Sequence, residues 1–207
     1  MSPILGAIIA LAYLLGSIPF GYIAGRMAGI DVREHGSGNI GATNVLRVLG
    51  KRWGYFVFAA DVLKGFLAVR LALLLAWGNP HTRPYAEVCA ILAAAVCVLG
   101  HSFPIWLGFR GGKGVATSAG ALFGVVPIAA TTIFFVWVLV FFATRYVSVA
   151  SILAALALPV VVALLGRAHG RPVFYFSLAM TVLVVARHRS NISRLLKGTE
   201  PRFRRSK

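Results

Sequence analysis

Acidic side chains are scarce in this chain, with five Asp and Glu against 21 Lys and Arg in 207 residues. The five are Asp31, Glu34, Asp61, Glu87 and Glu200, and no two share a metal-ligand motif. Magnesium and manganese sites are built from clustered carboxylates, so the composition argues against a metal-dependent phosphotransferase and no metal is expected. His35, His101 and His188 stand far apart, and neither HExxH nor CxxC occurs. There are two cysteines, Cys89 and Cys97. Eight residues along a helix is about 12 Å, beyond disulfide reach, so both read as buried thiols. Charge of either sign is low: 13% of residues, against about 25% in a soluble domain. No internal repeat, low-complexity segment or linker interrupts the chain.

What is present is apolar surface. Hydrophobic residues make up 59% of the chain, and the mean hydropathy is +0.84. They come in long runs rather than in a stripe of helical period, the mark of helices that face lipid or other helices on all sides. The expected class is all-α integral membrane, with residues 1–207 forming one polytopic domain. A crossing needs about 20 apolar residues, and spans are expected near 3–25, 53–78, 86–107, 115–127, 129–144, 149–166 and 172–187. The first is expected to be retained, because no basic residue precedes Arg26 and the apolar stretch exceeds a signal core.

The run from Val115 to Thr144 decides the topology. It is too long for one comfortable span and short for two, and Pro127 falls near its middle, where a helix interior would lose a hydrogen bond and clash. If it is two short spans, Arg26, Arg33, Arg47, Lys51, Arg52, Lys64, Arg110, Lys113, Arg145 and every basic residue from Arg187 onward share one side. Only Arg70, Arg83, Arg167 and Arg171 remain for the other. Lys and Arg gather in cytoplasmic loops. The sequence thus predicts seven helices, some short, with the N-terminus outside and the C-terminus cytoplasmic. The net charge of +16 follows mostly from that asymmetry. The tail RFRRSK is expected to touch anionic headgroups. The basic residues are spread over separate loops rather than one face, so no nucleic-acid partner is expected.

Four polar islands fall on the predicted cytoplasmic side. The first, HGSGNIGATNVLR, carries Ser37, Gly38, Asn39, Gly41, Thr43, Asn44 and Arg47, a set of amides, hydroxyls and backbone N–H groups. The second, LGHSFPIWLGFRGGKGVATS, carries Gly111, Gly112, Lys113 and Gly114 where a span begins. Glycines there let N–H groups approach an anion, and a helix N-terminus and a lysine add positive charge. The spacing is not that of a Walker A loop. The third, RYVSVAS, contributes Arg145 and Ser148, and the fourth, RHRSNISRLLKGTE, contributes Arg187, His188, Arg189 and Asn191. His188 and Asn191 share a helix face at their spacing of three. The joint inventory suits a small phosphorylated substrate held without metal.

These four motifs, in this order and spacing, closely resemble the acyl-phosphate:glycerol-3-phosphate acyltransferase family of bacteria over nearly the whole chain. The resemblance implies transfer of a fatty acyl group from acyl phosphate to the 1-hydroxyl of sn-glycerol 3-phosphate. The products would be 1-acylglycerol 3-phosphate (lysophosphatidate) and inorganic phosphate, in the first acylation of phospholipid synthesis, at the cytoplasmic face of the inner membrane and without a cofactor. It implies that Ser37, Arg47, His188 and Asn191 are needed for activity, that Gly111 to Gly114 serve a substrate phosphate, and that Glu200 is structural. The residues fit that chemistry. Acyltransferases that draw on acyl-CoA or acyl carrier protein commonly carry His-x4-Asp, and no histidine here has an aspartate five positions on. Acyl phosphate, a reactive mixed anhydride, needs positioning and oxyanion stabilisation more than activation. The alternative is a small transporter of a phosphorylated solute. Asp61, Lys64 and Arg70 lie within the second span, and intramembrane charges often mark pathways.

Overall fold

Ten α-helices carry the chain in a computed structural model that describes residues 3–165 and 170–203. Gly166 at the end of the expected 149–166 span, Arg167 after it, and the basic tail residues Arg204, Arg205 and Lys207 lie outside the described residues. The chain divides into two compact units, residues 1–125 and 126–207.

The first unit begins with α1 (Pro3–Ser17) and α2 (Phe20–Met27). The sequence predicts one span here. The helix is broken at Ile18-Pro19 because proline has no N–H to continue the ladder and disfavours helical geometry in the residue before it. Then come α3 (Ala42–Leu49), α4 (Lys51–Trp77), α5 (Ala86–Ser102), flanked by 3₁₀ turns at Arg83–Tyr85 and Ile105–Leu107, and α6 (Val115–Val125). Helix α4 is the hub, packing against α1, α3, α5 and α6. Its approach to α6 is set by glycine. A Cβ at Gly65 would overlap the Thr117 carbonyl, and one at Gly120 would overlap the Val62 carbonyl. Where α1, α4 and α5 meet, the core is mostly small: Ala12, Ala68, Ala72, Ala76, Ala93, Cys89 and Cys97 with Ile8. Small residues let backbones approach closely where lipid supplies no hydrophobic drive between helices. Both cysteines are free and buried there.

The second unit contains α7 (Pro127–Thr144), α8 (Val147–Leu164), α9 (Gly170–Arg187) and the short α10 (Arg189–Leu196). Pro127 opens α7, the position where a missing N–H costs nothing, so the ambiguous apolar run is two helices. Helix α8 packs on both α7 and α9. Trp137 Nε1 donates to Ser151 Oγ at 3.1 Å, and Thr181 Oγ1 donates to the Ala155 carbonyl at 2.6 Å. The C-terminal strip is tied to the α7–α8 turn: Phe203 N–H donates to the Arg145 carbonyl (2.9 Å), and Arg202 Nε to the Thr144 carbonyl (3.1 Å).

Five stretches are long and apolar enough to cross a membrane: Pro3–Met27, Arg83–Leu107, Pro127–Thr144, Val147–Leu164 and Gly170–Arg187. Helix α4 is longer than any of these, at 27 residues, but carries Asp61, Lys64 and Arg70 in its interior; α6 is a shorter apolar helix. Phe135, Leu139 and Phe142 line one exposed stripe of α7, as a lipid-facing surface requires.

Candidate active site

The first polar island folds around one buried amide. Asn44, on the first turn of α3, accepts from the Ser37 N–H at 2.8 Å and donates through Nδ2 to the Val32 and His35 carbonyls, each at 3.1 Å. A Cβ at Gly36 would run into its Oδ1, and Gly36 adopts a left-handed φ of 61°, so glycine is required there twice over. Val32, Ile40, Val45 and Val57 fill the space beneath. Asn39 is also used locally, accepting from Gly41 N–H at 2.9 Å. The Ser37 and Arg47 side chains are exposed and Thr43 is half-buried. The loop is therefore braced by Asn44 and Asn39 and presents Ser37 and Arg47. At its edge Asp31 is held by Arg33, with Nε 2.9 Å from Oδ1 and Nη2 2.6 Å from Oδ2. That side-chain hydrogen bonding lowers the Asp31 carboxyl to about 2.

The second island doubles back on the end of α5. Gly111 N–H donates to the Ser102 carbonyl and Gly112 N–H to the His101 carbonyl, each at 3.1 Å. The glycine amides at 111 and 112 thus shape the loop itself. Gly114 follows with φ 79°, and α6 starts at the next residue, placing Lys113 just ahead of a helix N-terminus whose first N–H groups lack intrahelical partners. Around Gly114 the hydroxyls of Ser102 and Ser118 converge. Together with the Thr117 hydroxyl they are buried and without a hydrogen-bond partner among the described residues. The stretch from α5 to this loop is pinned to α1, where Tyr13 Oη donates to the Phe103 carbonyl (2.9 Å) and Trp106 Nε1 to Ser17 Oγ (3.0 Å).

Behind that loop lies a charge cluster that sequence reasoning identified only in part. Asp61 and Lys64, both 2% exposed, pair at 2.9 Å. Lys64 also donates to the Ile18 carbonyl at 2.8 Å, an acceptor at the Ile18-Pro19 break. The same Asp61 oxygen faces His101 Nδ1 at 3.4 Å. His101 lies 40 residues from Asp61 in the chain, and nothing in the local pattern joins them.

In the second unit one carboxylate organises two expected site residues. Glu200 Oε1 accepts from Ser148 Oγ at 2.7 Å and from Asn191 Nδ2 at 2.6 Å, and Oε2 accepts from Arg194 Nε at 2.8 Å. Burial raises the Glu200 carboxyl, but the hydrogen bonds from Asn191, Ser148 and Arg194 outweigh it and hold it below the ordinary value. His188, buried at the α9–α10 junction, has Nδ1 2.7 Å from the Val184 carbonyl. A carbonyl can only accept, so Nδ1 carries a proton in this contact. The role of Arg194 was not legible, because an arginine in RHRSNISR looks like any other interfacial cation.

The glycerol-3-phosphate acyltransferase family model matches residues 6–198. The chain belongs to the glycerol-3-phosphate acyltransferase family. The acyltransferase is 47% identical to the Synechococcus elongatus glycerol-3-phosphate acyltransferase over 95% of this chain and 93% of that one. It is 41% identical to the Aquifex aeolicus relative over 95% and 97%. Its helices superpose on a crystal structure of PlsY, an integral membrane glycerol 3-phosphate acyltransferase, in its glycerol 3-phosphate form. The TM-score is 0.86 at 40% identity, covering 97% of this chain and 96% of that one. A lysophosphatidic acid form of PlsY matches with a TM-score of 0.83 at 40% identity.

Proposed function

We propose that the chain transfers a fatty acyl group from acyl phosphate to the 1-hydroxyl of sn-glycerol 3-phosphate, releasing 1-acylglycerol 3-phosphate and inorganic phosphate. The observation that carries the reading is the pair of matching structures, one in a glycerol 3-phosphate form and one in a lysophosphatidic acid form. Those two molecules differ by one acyl group, the group the reaction adds. The choice of donor is supported by the carboxylates. Asp61 is engaged by Lys64, and Glu200 by Ser148, Asn191 and Arg194, and no His-x4-Asp base is present in the sequence.

In this reading the acceptor oxygen attacks the acyl carbonyl carbon, the bond from that carbon to the phosphate oxygen breaks, and the departing phosphate takes the hydroxyl proton. The protein positions two anions and stabilises the charge that develops on the carbonyl oxygen. Arg47 and Lys113 are the cations for substrate phosphate, and Ser37 presents a hydroxyl beside Gly38, Asn39, Gly41 and Thr43. Gly111 to Gly114 shape the approach to α6, with Lys113 at its N-terminus. Asn44 acts by bracing its loop. Ser148, His188 and Asn191 orient the acceptor, and Glu200 holds Ser148 and Asn191 in place. Seven crossings, with α4 and α6 added to the five apolar stretches, put the N-terminus outside and these residues on the cytoplasmic side of the inner membrane.

The test is the fate of phosphate. Purified full-length protein given palmitoyl phosphate should release inorganic phosphate and form lysophosphatidate in equal amounts, and only when glycerol 3-phosphate is present. Phosphate release at the same rate without the acceptor would contradict the proposal.

A further inference from the structure

We infer that His101 is a positioning residue for the loop Gly111–Gly114, its ring set between that loop and the buried Asp61–Lys64 pair. The inference rests on the reading above that this loop takes a substrate phosphate. Three observations carry it. First, the ring is buried, with 5% of the residue exposed, and Nδ1 faces Asp61 Oδ1 at 3.4 Å. Asp61 is itself anchored by Lys64 at 2.9 Å, and Lys64 by the Ile18 carbonyl at 2.8 Å. The ring therefore faces a carboxylate on α4 at ion-pair range, and the lysine that pairs with that carboxylate is tied to the α1–α2 break.

Second, the other edge of the ring sets the loop. A Cβ at Gly112 would fall on His101 Nε2, so the imidazole occupies the space a side chain would need and limits how far the loop can move inward. Third, the His101 backbone carbonyl accepts from the Gly112 N–H at 3.1 Å. One residue thus touches Gly112 from both its ring and its main chain. Lys113 is the next residue, and α6 begins two further on. A shift of Gly112 moves the lysine and the helix N-terminus together, and a displacement of about 1 Å in a binding group is enough to cost a large factor in rate or affinity. Asp61 and Lys64 thereby serve the reaction through His101 without touching the substrate. In a buried ion pair whose one carboxylate oxygen, Asp61 Oδ1, faces both the lysine and a histidine, desolvation offsets much of the attraction, so the pair serves orientation more than stability.

Steady-state kinetics on the full-length enzyme in lipid test this, with Lys113→Ala as the reference. Lys113→Ala identifies which substrate depends on the loop, by its raised KM. His101→Ala should raise the KM for that same substrate about tenfold, with a smaller change in kcat and a melting temperature that still reports a folded enzyme. His101→Asn, whose amide nitrogen can face Asp61 as Nδ1 does, should recover most of the KM. Gly112→Ala should be harmful in the native background and less harmful combined with His101→Ala, because the ring it collides with is gone; non-additivity of this kind reports direct contact. A His101→Ala enzyme with the native KM, or Gly112→Ala and His101→Ala effects that simply multiply, overturns the inference while leaving the loop's role intact. If Lys113→Ala changes neither KM, the phosphate reading of the loop fails, and the inference falls with it. Should His101→Ala not fold, the His101→Asn and Gly112→Ala comparison decides by the same criteria.

Discussion

At the scale of single residues, the proposed site draws on side chains whose partners lie far along the chain. Glu200 meets Ser148 across 52 residues and Asn191 across nine. Glu200→Gln keeps one carbonyl oxygen but turns an N–H₂ toward Arg194 or toward the two donors. With hydrogen bonds to a charged group contributing about 1.5–3 kcal/mol, the variant should lose roughly that much stability and show a lower melting temperature; an unchanged transition would contradict the hub. The Glu200 carboxyl is held below its ordinary value of 4.5. Its stabilisation is therefore complete above the unfolded-state pKa and fades as pH falls through the lower folded-state value, so native-like stability should persist through mildly acidic pH. His188 tests the proton's destination. If the departing phosphate takes it, His188→Ala lowers kcat without removing a titration from the pH–rate profile. Loss of a limb near neutral pH would assign the base to His188 instead.

Elements were more legible than partners. Pro127 separated α6 from α7 in the sequence, because proline inside an apolar run has few places to go. The same logic applied at Pro19, yet the 3–25 run reads as one span, since its residues are apolar on both sides of the break. Asn44 shows the other limit. The sequence marks an amide in a glycine-rich loop but not whether it faces a ligand or its own backbone, and here it bonds Val32, Ser37 and His35. His101 was invisible as a site residue because its meaning comes from α4. The close approach of α4 and α6 also leaves only a weak trace, glycines in apolar runs. It carries a prediction: Gly120→Ala places a methyl on the Val62 carbonyl, a backbone atom that cannot swing away. Overpacking of this kind costs about 1–3 kcal/mol, which a lowered melting temperature would register. A variant as stable as the native enzyme would mean that the helices can separate.

At the scale of the whole molecule, the proposed reaction depends on sidedness and on the donor. Single cysteines at Glu34, Arg110 and Lys197, all exposed, should resist a membrane-impermeant maleimide in intact cells and react once the membrane is opened. One at His81, exposed in the α4–α5 connection, should react in intact cells. Labelling of Arg110 from outside would place α6 and the glycine-rich loop on the wrong side. The central claim, acyl phosphate as direct donor, is tested most directly by a matched assay of palmitoyl phosphate and palmitoyl-CoA with glycerol 3-phosphate and purified enzyme. The account predicts lysophosphatidate from palmitoyl phosphate alone. Lysophosphatidate and free CoA formed at a comparable rate from palmitoyl-CoA would contradict it.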